Sequence, residues 1–125
     1  MKILLDTHIL LWWLDDAVKL SSKSRSLISD TNHIAFVSAA TIWEISIKCA
    51  IGKLSVPGDM KQALQANGFE VISITFEHAE RAGKLPRHHD DPFDRMLIAQ
   101  SEIENFTLLS HDKRFKQYAI TLALN

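Results

Sequence analysis

Apolar residues in this chain come in short unbroken runs separated by segments with helical spacing. Ile3-Leu4-Leu5, Ile34-Ala35-Phe36-Val37 and Leu108-Leu109 are continuous runs of the kind that form parallel strands buried on both faces. They predict strands over Lys2–Leu5, Ile34–Val37 and Thr107–Ser110. Glu70–Ile74 alternates and predicts a strand nearer an edge, and Ala119–Leu124 a last strand. Between these runs the spacing predicts helices at His8–Leu14, at Ser21–Asp30 with Leu27 and Ile28 inward and Lys23 and Arg25 outward, and at Ala39–Ile51. Ser38 suits the N-cap of the third helix and Gly52 its stop. Asp59 caps a short helix over Met60–Ala66, Thr75–Ala82 is another, and Lys113-Arg114-Phe115 makes a single turn. Strands that alternate with helices imply a parallel sheet covered on both faces, hence an α/β domain spanning residues 1–125.

The most informative stretch is Asp90-Asp91-Pro92-Phe93-Asp94-Arg95-Met96-Leu97-Ile98-Ala99-Gln100. Asp91 suits an N-cap and Pro92 the first helical position, where a missing N–H costs nothing. Asp94 then falls in the first turn, where the dipole and free amides favour a carboxylate. Met-Leu-Ile-Ala follows, so the helix is buried on most sides. A carboxylate at its lip needs a partner, and the neighbouring sequence offers none. Arg95 points elsewhere on the wheel.

Composition narrows the class. The chain has 125 residues, 46% hydrophobic and 23% charged, enough for one real core. A net charge of −1 excludes a broadly basic surface as the main grip on nucleic acid, without excluding a local one. The single cysteine, Cys49, permits no internal disulfide; it is expected in the core of an apolar helix and in a reducing cytoplasm. Asp6 and His8 interrupt the apolar N-terminal stretch, which is too short to span a membrane.

Acidic residues recur where such a fold would gather them. Two strands end alike, Leu5-Asp6-Thr7 and Ser110-His111-Asp112, and a parallel sheet brings both ends to one edge. Glu44 and Asp94 stand near the starts of strand-following helices, which lie at that same edge. Glu44 admits two readings. One is an exposed i,i+4 pair with Lys48, worth about 0.2–0.5 kcal/mol; the other is a member of the acidic set. Four carboxylates together require either protonation or a cation. All-oxygen donors suit a hard cation, Mg²⁺ or Mn²⁺, better than zinc. His88-His89 reads as an exposed loop pair.

These residues resemble a known family. Asp6-Thr7 after the first strand, Glu44 in SAATIWEISIK, HHDDPFDRMLIAQ and LLSHD are together similar to the PIN-domain ribonucleases, and more narrowly to the VapC-type toxins of bacterial toxin–antitoxin pairs. The resemblance runs over nearly the whole chain and is most specific in DPFDR followed by LIAQ. It implies a three-layer sandwich with a central, mostly parallel sheet of four to five strands. It implies that Asp6, Glu44, Asp94 and the more variable Asp112 bind Mg²⁺ and cleave RNA, with Thr7 and Ser110 supporting. Water activated by the cation would attack in line, leaving a 5′-phosphate and a 3′-hydroxyl. Whether one ion or two take part stays open.

With those four acids set aside, 14 basic residues face 11 of the 15 acidic ones, so the remaining surface is mildly basic. Lys48, Lys84, Arg87, His88, Arg95, Lys113 and Arg114 are candidates for phosphate contacts. The resemblance implies a cognate antitoxin whose tail wraps the toxin, and the acidic set suggests that an arginine or lysine of that tail enters among Asp6, Glu44, Asp94 and Asp112 in place of the cation. The resemblance also implies a homodimer, for which Trp12 and Trp13 offer apolar surface beyond what a small core holds. Two alternatives compete. A receiver-like signalling domain needs a lysine at the end of a late strand, where this chain has Ser110-His111-Asp112. A non-catalytic PIN-like binding module for RNA or protein would carry the same acids and differ only in activity.

Overall fold

The computed structural model describes residues 1–125. Five strands form one sheet: β1 (Lys2–Leu5), β2 (Ile34–Ser38), β3 (Glu70–Ile72), β4 (Thr107–Ser110) and β5 (Thr121–Leu124). Their spatial order is β3-β2-β1-β4-β5, and every pairing is parallel. Six helices connect them: α1 (Thr7–Leu14), α2 (Ser22–Ser29), α3 (Ala39–Ala50), α4 (Met60–Ala66), α5 (Phe76–Lys84) and α6 (Pro92–Glu104). A 3-10 turn, Lys113–Gln117, leads into β5. The expected four to five mostly parallel strands are thus five, all parallel. None of the helices is long and apolar enough to cross a membrane.

The period of two along each strand divides the core in two. Ile3, Leu5, Ala35, Val37 and Leu109 point to one face and pack with Ile9 and Leu10 of α1, Ile28 of α2, Ile45 of α3 and Leu64 of α4. Leu4 and Leu108 point to the other, where they meet Ala82 of α5 and Leu97, Ile98 and Ala99 of α6. Two helix layers therefore enclose one sheet. The caps are those that the sequence offers. Ser38 accepts from Ala40 N, Asp59 from Lys61 N, and Asp91 from Phe93 N and Asp94 N. Gly52 ends α3 at φ +76, a conformation that costs glycine little.

Several expectations need correction. Cys49 is exposed, because it lies on the outer side of α3 and not on the side that packs on the sheet. Trp12 and Trp13 are half-buried against the first core cluster, so they are not surplus apolar surface. Trp13 Nε1–H donates to Asn67 Oδ1 at 2.9 Å. The exposed apolar side chains lie elsewhere: Trp43 on α3 is 61% exposed, Ile51 just past its end 60%, and Phe76 at the start of α5 76%. β3 stops at Ile72, and α5 runs two residues past Ala82 to Lys84.

Candidate metal centre

Sheet order determines where a crevice opens. The chain lays β2 and β3 out on one side of β1, then returns to lay β4 and β5 on the other. The loops at the carboxyl ends of β1 and β4 therefore diverge, which is where open α/β sheets bind ligands. Leu5 pairs with Leu109, so the next residues, Asp6 and Ser110, fall level at that edge. The Ser110 hydroxyl donates to Asp6 Oδ2 in a very short hydrogen bond. Asp6 is also the N-cap of α1: its Oδ1 accepts from Ile9 N at 2.8 Å. Two ties hold a carboxylate that is only 3% exposed.

Glu44 arrives from the second turn of α3. Its Oε1 accepts the Thr7 hydroxyl at 2.6 Å and its Oε2 the Lys48 ammonium at 2.7 Å. Both readings of Glu44 are thus partly met, since the pair with Lys48 exists but its carboxylate is 6% exposed and faces the crevice. Asp94 comes from the first turn of α6. Asp112 follows β4 and caps the 3-10 turn, accepting from Arg114 N at 2.9 Å and from the Arg114 guanidinium at 2.7 Å.

Asp6, Thr7, Glu44, Asp94 and Asp112 line one pocket of ≈ 170 Å³ together with His8, Lys48, Asp91, His111 and Arg114. No lining residue is hydrophobic. The electrostatic consequence falls on Asp94. Its carboxyl is pushed up from the ordinary 3.8 to about 7, first by burial and then by the carboxylates of Asp91, Asp6, Glu44 and Asp112. Asp112 moves the other way, to about 2, chiefly because the Arg114 side chain hydrogen bonds to it. The His111 imidazole is raised, mainly by the Asp6 carboxylate, whose Oδ2 lies 3.8 Å from Nδ1. Four carboxylates that line one pocket and all offer oxygen are of the donor chemistry that suits a divalent hard cation.

The sequence missed one participant. His89 is not an exposed loop residue but 3% exposed, its ring stacked on Phe115 with centroids 5.5 Å apart. Its Nε2 lies 3.0 Å from Asp94 Oδ2 and 3.3 Å from Asp112 Oδ2. Ligand atoms of His89, Asp94 and Asp112 all lie within 4.8 Å of one another. Arg95 is also corrected. It is 6% exposed and donates to the carbonyls of Ala82, Leu85, Pro86 and His89, so it is not free for phosphate. Of the other expected phosphate contacts, Lys48 and Arg114 line the pocket and are already paired with its acids.

Comparison with known proteins agrees with this geometry. Ribonuclease VapC22 of Mycobacterium tuberculosis is 25% identical over 119 residues, covering 93% of this chain and 91% of that protein. Among solved structures, VapBC2 from Rickettsia felis bound to a DNA fragment from its promoter superposes with a TM-score of 0.71 at 16% identity, covering 99% of this chain and 98% of that one. A toxin–antitoxin complex from Klebsiella pneumoniae gives 0.68 at 16% identity, covering 97% and 95%. Likeness at such low identity establishes the fold. The family itself is shown by the model for the PIN domain, which matches residues 3–120: the chain belongs to the PIN-domain family.

Proposed function

We propose that this protein is a Mg²⁺-dependent endoribonuclease, with Mn²⁺ as an alternative ion, that acts in the cytoplasm as the toxin of a toxin–antitoxin pair. The observation that carries this is the convergence of Asp6, Glu44, Asp94 and Asp112 from four separate elements into one polar pocket. A structural role does not call for four acids in one pocket, where burial and then the neighbouring carboxylates push Asp94 to about 7. The named function of the Mycobacterium tuberculosis relative supports the ribonuclease reading, and the toxin–antitoxin complexes among the similar folds support the pairing.

The four carboxylates would hold the cation, which supplies charge neutralisation at the scissile phosphate and acidifies a water. The protein's own part is orientation. Ser110 and Ile9 N fix Asp6, Thr7 and Lys48 fix Glu44, and Arg114 fixes Asp112. Asp94 or Asp6, both lining the pocket, would orient the attacking water. The exposed apolar residues Trp43 and Ile47 of α3, with Ile51 just past its end, form the face through which the protein makes a homodimer. A groove of ≈ 510 Å³ between α1 and α4, lined by Leu11, Leu14, Leu54 and Met60, suits an apolar antitoxin helix.

Cleavage of a single-stranded RNA with Mg²⁺ and then with EDTA tests the proposal. Cutting is expected only with the metal and is expected to vanish in Asp6→Asn. Cutting that survives EDTA or Asp6→Asn refutes it, and a protein that binds RNA without cutting under Mg²⁺ is a binding module instead.

A further inference from the structure

Of the histidines around the pocket, His89 alone is buried; His8, His88 and His111 are exposed. The placement of its ring hydrogen follows from its partners. Nδ1 receives the backbone N–H of Asp91 at 3.2 Å, and a backbone amide only donates. Nδ1 is therefore the acceptor and the hydrogen sits on Nε2. Nε2–H donates to Asp112 Oδ2 at 3.3 Å and lies 3.0 Å from Asp94 Oδ2. A nitrogen that carries hydrogen has no lone pair for a cation.

We propose that His89 is a positioning residue for the cation site and not one of its ligands: its Nε2–H gathers the carboxylates of Asp94 and Asp112, which come from different elements, into a preformed pair. The proposal rests on the metal-dependent reading above. Neither acid reaches the other unaided, since like charges separate unless something between them attracts both. The donor is rigid. The backbone N–H of His89 donates to the Tyr118 hydroxyl at 2.9 Å, which donates to Pro86 O at 2.7 Å. Arg95 clamps the same segment through the Pro86 and His89 carbonyls, and Phe115 backs the ring. The buried Arg95 thus serves the site indirectly, by fixing the loop that carries the imidazole. Without that donor the cation must gather Asp94 and Asp112 itself, and affinity falls.

Mn²⁺ binding to the full chain, measured by the EPR signal of the free ion, provides the test. His89→Ala is expected to raise the Mn²⁺ dissociation constant about 10–100-fold, the usual range for losing a group that orients a metal ligand. Saturating Mn²⁺ is expected to restore kcat, with KM for RNA unchanged. His89→Gln retains an N–H donor and is expected to recover most of the affinity. Electron spin-echo spectra of the wild type carrying ¹⁵N-labelled histidine are expected to lack the coupling of a directly bound nitrogen. A coupling that persists in His89→Gln belongs to His8 or His111, which also line the pocket. A coupling present in the wild type and lost in His89→Gln would overturn the proposal by making His89 a ligand. So would an unchanged dissociation constant in His89→Ala while the wild type binds Mn²⁺ and cuts RNA. A wild type that neither binds Mn²⁺ nor cuts RNA sinks this inference and the nuclease reading together. Should His89→Ala fail to fold by circular dichroism, the glutamine variant and the spin-echo spectrum decide.

Discussion

Asp94→Asn is expected to make the metal-free protein more stable while abolishing metal binding. The folded chain holds a proton on Asp94 up to about pH 7, whereas the unfolded chain releases it near the ordinary 3.8. Between those values the native state binds the extra proton, so stability falls as pH rises through the window. It is full below 3.8 and lost above 7. At 1.36 kcal/mol per pKa unit, the span from 3.8 to about 7 sets a ceiling of about 4 kcal/mol. Two effects lower it. The side chain is 24% exposed, so solvent screens part of the repulsion. Asparagine also forfeits the favourable carboxylate at the start of α6, about 0.3–1 kcal/mol. A net gain of about 2 kcal/mol at pH 8 remains, or roughly 5–10 °C in Tm for a chain this size. Asparagine keeps an oxygen for His89, so that contact survives. Thermal unfolding in EDTA from pH 4 to pH 8 is the assay. The two proteins should melt together at pH 4 and diverge as pH rises, the variant on top. Asp112 titrates in a separate window, between 3.8 and about 2, where its stabilisation is lost as pH falls. Adding Mg²⁺ should raise the wild-type Tm and leave the variant where it was. A variant less stable than wild type at pH 8 without metal, or a difference that ignores pH, would refute this account of burial and crowding at Asp94.

Glu44→Gln keeps the acceptor for the Thr7 hydroxyl and is expected to shift Tm little while RNA cleavage fails; an active variant would return Glu44 to its pair with Lys48. Arg95→Met leaves four carbonyls without their donor and is expected to cost about 3 kcal/mol or more in chemical denaturation, with RNA binding by the folded fraction untouched. Trp43→Asp places a charge in the exposed apolar face of α3, and sedimentation should then show a monomer where the wild type is a dimer; a wild-type monomer at micromolar concentration ends that proposal. An antitoxin tail that enters the pocket with an arginine competes with the cation, so inhibition of RNA cleavage should weaken as Mg²⁺ is raised; indifference to Mg²⁺ would mean that the tail blocks RNA by bulk alone.

The fold was legible because the three central strands, β1, β2 and β4, are largely buried on both faces. Ile3 to Leu5 and Ile34 to Val37 carry no outward polar residue, and such runs belong to a covered parallel sheet. The caps were equally local: Ser38, Asp59 and Asp91 act within three residues of themselves, so sequence spacing is their geometry. What stayed hidden was which side of a helix faces the sheet when apolar residues surround it. Ile42, Trp43, Ile45, Ile47 and Ile51 cover α3 nearly all round, yet only Ile45 is fully buried. The periodicity carried no direction there, and Cys49 was placed inward for that reason.

The acids were legible for a different reason than the histidine was not. Asp6 and Asp112 follow strands, and Glu44 and Asp94 ride on helices that follow strands, so the topology alone delivers all four to one edge. Regular elements carry a side chain's destination in their spacing. His89 sits between elements, in a segment whose path is set by Arg95, Tyr118 and Phe115, residues 6 to 29 positions away. None of those contacts has a period, so nothing local distinguishes His89 from its exposed neighbour His88. The same holds for Arg95, a buried cation whose partners are backbone carbonyls and hence have no side-chain signature. The rule that a loop histidine is solvated failed because a guanidinium inside the core reaches back to hold the loop down. A sequence can announce a carboxylate pocket through its elements; the donor that orders the pocket is legible only once the loop has a path.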